Sequence, residues 1–152
     1  MQAKPNRARI RMNEKKPMLL ALTPEAEAAI GGEKLALRHF PFRIGREFRV
    51  ALVDGEMKVV ERRRRDDLPI PNNDLYLMDH GRPLNVSRQH LQIEEIDEGY
   101  RVVDCGSACG TLVGNNFIGG HDQGGESALQ DGEVLVVGTS ESAFVFRFML
   151  GE

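Results

Sequence analysis

EVLVVGTSESAFVFRFM, residues 133–149, decides the fold class. Within it Phe144, Phe146 and Phe148 alternate with Val145, Arg147 and Met149. That period of two sends successive side chains to opposite faces of a strand. Ahead of them Val134-Leu135-Val136-Val137 reads as a buried strand. The three phenylalanines are expected in the gap between two sheets, each burial giving roughly 1.5–3 kcal/mol.

The same short-strand texture runs upstream. YRVVD (100–104), the alternating pair Leu91 and Ile93, LYLM (75–78) and MLLAL (18–22) all read as strands, separated by Gly, Asn, Asp and Pro turns. FRVALV and MKVVE flank Asp54-Gly55 as a hairpin. Leu35 and Leu37 share one parity while Phe40, Phe42 and Ile44 share the other, so a bulge or bend is predicted at Arg38-His39. EAEAAIGG (25–32) has helical propensity but is too short for a stable helix, and is read as a loop with one turn. GGHDQGGESA (119–128) reads as flexible. No long 3.6-residue period occurs. Nine to eleven short strands predict an all-β, two-sheet sandwich with mostly antiparallel pairing.

The 152 residues, 41% of them hydrophobic, suit one domain that folds without disulfides or metals. Residues 1–17 carry six Lys or Arg against one Glu and read as a basic, flexible tail; the remainder carries fourteen against twenty-two. The tail is a solubilising segment or, alternatively, a contact for nucleic acid or an acidic membrane. The acidic body, residues 18–150, argues against a nucleic-acid binder, so any pull on anions must come from a local patch. No apolar run is long enough to span a bilayer, and no apolar h-region marks a signal peptide. The chain is read as cytoplasmic, or as the cytoplasmic part of something larger.

Enzymatic options find little support. Cys105 and Cys109 lie four apart with no further ligands at zinc spacing, and His39, His80, His90 and His121 are scattered. Both cysteines are read as partly buried loop packing, and the acidic residues as turn formers or solvated strand faces. Gly110 to Gly114 precedes no helix, which argues against a nucleotide loop. Anion-binding groups on loops remain. Arg46 ends a strand, and Ser87-Arg88 precedes another, with His90 just beyond. Loops cluster at a sandwich end, where an Arg fork and a Ser hydroxyl could meet one phosphate.

FPFRIGR (40–46), NNDLYL (72–77), VSRQH (86–90), VVDCGSACGTLVGN (102–115), LQDGEVLVVG (129–138) and FVFRF (144–148) together resemble a forkhead-associated (FHA) domain. The resemblance covers about residues 18–150. It implies an eleven-stranded β-sandwich related to the Smad MH2 fold, no catalysis and no cofactor or metal. It also implies recognition of phosphothreonine in an unstructured segment of a partner protein. By the resemblance, Arg46, Ser87 and Arg88 supply the phosphopeptide donors. Gly45, His90, Gly110 and Thr111 support the loops, His90 chiefly as a structural group. Each has a structural alternative: a salt bridge for Arg46, a strand-start cap for Ser87.

Three positions depart from the family pattern. Ala108-Cys109 stands where the family has Ser/Thr-Asn, an amide that bonds the peptide main chain; its loss costs roughly 0.5–1.5 kcal/mol. Gly114-Asn115 inverts the usual Asn-Gly. About 25 extra residues lie between Arg46 and Asn72. In this insertion Arg62, Arg63, Arg64 and Arg65 form either a solvated loop, neutralised by Glu61, Asp66 and Asp67, or a second anion patch. No aromatic interleaves them as nucleic-acid binding would favour. The expected function is a phosphothreonine-binding interaction module. The alternative is a phosphate-independent assembly domain that uses a sheet face or the insertion.

Overall fold

A computed structural model describes residues 15–46, 50–59, 73–81 and 84–151. Two sheets face each other. One has six strands: β1 (Lys16–Ala21), β2 (Lys34–Ala36), β9 (Thr111–Val113), β10 (Asn116–Ile118), β12 (Val134–Val137) and β13 (Val145–Gly151), in the order β10-β9-β12-β13-β1-β2. The other has β3 (Phe42–Arg46), β6 (Leu75–Leu77), β7 (Leu91–Ile96), β8 (Gly99–Asp104) and β11 (Gly125–Leu129), in the order β11-β8-β7-β3-β6. Pairing is antiparallel except between β3 and β6. The expected eleven-stranded sandwich is thus present. Phe144, Phe146 and Phe148 are all buried between the sheets with Leu19, Ile44 and Ile93. A further hairpin, β4 (Val50–Val53) and β5 (Glu56–Val59), turns at Asp54-Gly55 within the insertion. Arg62 to Arg65 lie outside the described residues.

Two local expectations are corrected and a third is narrowed. Residues Pro24–Ile30 form a helix, α1, not a loop. The Thr23 side chain accepts from the Ala26 N–H, Pro24 opens the first turn, and Gly31 closes it at φ 76°. A seven-residue helix is marginal alone, but here Ala26 is fully buried, against the side of the sandwich near β1, β2 and β6. The phase switch at Arg38-His39, expected as a bulge or bend, is a bend: over residues 39–41 the chain crosses from the first sheet (β2) to the second (β3), so the inward parity is reset. Residues 125–128, expected to be flexible, begin β11, which pairs with β8.

Candidate functional site

Arg46 is the last residue of β3, and its backbone N–H donates to the Ser87 carbonyl at 2.9 Å. Its Nε donates to the Val86 carbonyl at 3.0 Å. Residues 41 positions apart are thereby adjacent, with both side chains half-buried. The close approach requires Gly45: a Cβ there would lie 1.9 Å from the Arg88 carbonyl oxygen and 2.5 Å from Asn73 Nδ2. Asn73 Nδ2 donates to that same carbonyl at 2.7 Å, fixing the Ser87-Arg88 loop onto the end of β3. Ahead of the loop, Asp79 Oδ2 accepts the N–H groups of Asn85 and Val86 at 2.6 and 2.9 Å.

The loop is held from below by His90, which is fully buried. Its Nδ1 accepts the Ser87 N–H at 2.9 Å. The proton therefore sits on Nε2, which donates to the Gly110 carbonyl at 2.7 Å. Burial pushes the imidazole pKa down, against the Gly110 bond and the charge of Asp104, whose Oδ2 is 4.0 Å from Nε2. A neutral ring is what this pair of bonds needs.

The third loop hangs on Asp104. This buried carboxylate accepts from the Gly106 and Ser107 N–H groups at 3.0 and 2.8 Å. It also accepts from the Ser107 and Thr111 hydroxyls at 2.6 and 2.7 Å. Ser107 Oγ in turn accepts the Gly110 N–H at 2.8 Å. Gly110 itself holds φ 85°, a left-handed conformation that glycine adopts without strain. The reading of acidic residues as turn formers and solvated faces is corrected here: Asp104 does form a turn, yet it is enclosed and saturated. This loop then reaches the first: the Ala108 N–H donates to Ser87 Oγ at 3.0 Å. The Ser87 hydroxyl is thus positioned by an acceptor contact and has its own proton to donate elsewhere.

Among the predicted site residues, Arg46, Ser87, Arg88, Ala108 and Gly110 are linked through one hydrogen-bonded loop cluster, with His90 and Thr111 beneath it. Cys109 Sγ donates to the Leu84 carbonyl at 3.4 Å. Cys105 is exposed, not packed in the loop, and partial desolvation beside Asp104 pushes its thiol pKa up, away from nucleophile behaviour. Gly114 and Asn115 form the two-residue link from β9 to β10, Gly114 at φ 57°, the sign a type II′ turn asks of its first position. Asn115 therefore serves the turn, while Asn116 opens β10. The sequence reading missed Asn73, Asp79, Asp104 and Ser107 as supports. Asp104-x-x-Ser107 carried a local signal, since an Asx side chain commonly accepts N–H groups two and three residues on. The Asn73 and Asp79 bonds span up to fifteen residues and carried none.

Among the described residues, no helix is long and apolar enough to cross a membrane. A comparison with curated proteins found no match. Among solved structures, the FHA domain of an Arabidopsis thaliana hypothetical protein aligns with TM-score 0.56 and 20% identity, covering 91% of this chain and 87% of that one. The yeast Pml1 splicing factor, solved with regard to its integration into the RES complex, aligns with TM-score 0.53 and 18% identity, over 91% and 82%. At such identities the likeness carries the fold. The FHA domain family model matches residues 42–138, more than half of the chain. With the sandwich and its loop cluster, that match makes this chain a member of the FHA family, whose domains are generally non-catalytic phosphopeptide-binding modules.

Proposed function

We propose that the chain is a non-catalytic module that binds a phosphothreonine-containing segment of a protein partner through Arg46, Ser87 and Arg88. The observation that supports this reading is the backbone bond from the Arg46 N–H to the Ser87 carbonyl, which makes neighbours of two residues from distant segments, one carrying a guanidinium and the other a hydroxyl. The guanidinium supplies charge and planar donors to the phosphate; the Ser87 hydroxyl supplies a further donor. Gly45, His90, Gly110 and Thr111 act as supports. The same proposal takes residues 18–150 as the binding body, extended at its start by Lys16 and Pro17 of β1, and the chain as cytoplasmic; the free thiols of Cys105 and Cys109 suit a reducing compartment. Titration of a phosphothreonine peptide library against the protein and its Arg46→Ala form, with unphosphorylated controls, tests it. Equal binding of phosphorylated and plain peptides overturns it.

A second reading, phosphate-independent assembly, is favoured by one observation. Cys109, at the position of the family's amide, bonds the domain's own Leu84 carbonyl. Recovery of the same partner from phosphatase-treated and untreated lysate supports that second reading.

A further inference from the structure

The outer face of the six-stranded sheet is apolar where a sandwich normally turns polar residues to water. Directly opposed residues share a face, so the registers Phe117↔Leu112, Leu112↔Val136 and Val136↔Val145 define one row across four strands. The Leu22 N–H donates to the Val145 carbonyl at 2.9 Å and continues the row past β1. All five positions are apolar, and their parity is opposite to that of the core residues Val113, Leu135, Val137 and Phe146. The equivalent row on the other sheet reads Arg43, Gln92, Val103 and Glu126, as solvent exposure demands. The apolar row is also shaped. Phe117 and Leu22 at its ends are 55% and 44% exposed, whereas Val136 between them is 5% exposed, so the row is open at both ends and close-packed between them.

We propose that this outward row docks an amphipathic segment of a partner protein carrying acidic residues beside its apolar stripe. An apolar sheet face is stably covered by another secondary-structure element, commonly a helix. The charged side chains whose strand parity places them on this face, Lys16, Lys34 and Arg147, are all cations. No acidic residue of the six strands shares that parity. A second copy would set these cations against one another, and the chain's own segment 1–17 carries a net positive charge. A foreign acidic segment meets both the apolar row and the charge.

Two synthetic amphipathic helical peptides test this, one with leucines on one face and glutamates on the other, and its lysine counterpart. The expected result is binding of the glutamate peptide, with methyl NMR shifts at Leu112, Val136 and Val145. Leu22→Ser and Phe117→Ser together should weaken it about tenfold, and Lys34→Glu should weaken it while leaving phosphopeptide binding intact. Equal binding of both peptides, binding of neither, or shifts elsewhere overturns the proposal. So does self-association in ultracentrifugation that the Leu22→Ser, Phe117→Ser form abolishes, or binding to phosphatidylcholine–phosphatidylserine vesicles in place of peptide.

Discussion

Ser87 and His90 are joined by a 2.9 Å bond in which the backbone of the first donates to the ring of the second. The serine proposed to meet the phosphate is therefore positioned by a buried group beneath its loop. Because Nε2 of the same ring holds the Gly110 carbonyl, one buried imidazole couples two loops. Its protonation state therefore governs how both loops are held.

Acid should consequently destabilise the domain before its carboxylates titrate. Burial lowers the His90 pKa in the folded state below its ordinary value of 6.5. The unfolded chain then takes up a proton first as pH falls. Stability present above pH 6.5 is lost as the pH drops through the folded pKa, by at most about 1.4 kcal/mol per pH unit. Glu94, held below the usual carboxylate range chiefly by its bond to Arg101, contributes stability that is lost only at more acidic pH. Nitrogen-detected NMR should show His90 neutral, protonated at Nε2, at pH 6.5; an imidazole titrating at or above that value contradicts the assignment.

Removing the Ser87 hydroxyl should weaken phosphopeptide binding by about 1.5–3 kcal/mol, the range for a hydrogen bond to a charged group. Calorimetry on Ser87→Ala should therefore show a loss of about ten- to a hundredfold. Raising salt should weaken the wild-type protein as well, since the contact is ionic. A Ser87→Ala protein binding as tightly as wild type removes Ser87 from the site.

Cys109→Asn should strengthen binding. An amide can donate to and accept from a peptide main chain, whereas the thiol is a weak donor engaged with Leu84. The gain expected from one restored bond is about 0.5–1.5 kcal/mol. Affinities of the two forms for one phosphothreonine peptide decide it; an unchanged or weaker variant means that Cys109 does not stand where the peptide runs.

Gly45→Ala tests the joint between β3 and the Ser87-Arg88 loop. The new Cβ would fall 1.9 Å from a backbone oxygen, which cannot swing aside as a flexible side chain could. A cost of about 3 kcal/mol corresponds to a fall in Tm of about 6–12 °C. Calorimetric melting measures it, and a variant that melts with wild type shows that the two segments are not tightly apposed.

Strand identity was legible because it is local. Phe144, Phe146 and Phe148 advertise a buried face by parity alone, and the spaced Arg46, Ser87 and Gly110-Thr111 elements carried the family likeness. Helix α1 was illegible because what stabilises its seven residues is the burial of Ala26 on a surface built by strands elsewhere. The crossing between sheets at Arg38-His39 was illegible for a related reason. A change of parity looks the same whether a strand bulges or a chain changes layers.

Residue order by itself determined the class of fold, the alternation that fills the core and the likeness to the FHA family. Tertiary structure decided that Arg46 reaches Ser87, that Asp104 is enclosed, and that one sheet turns an apolar row outward. Those outcomes depend on pairings across many residues, where strand order and register, not neighbouring side chains, determine which groups meet.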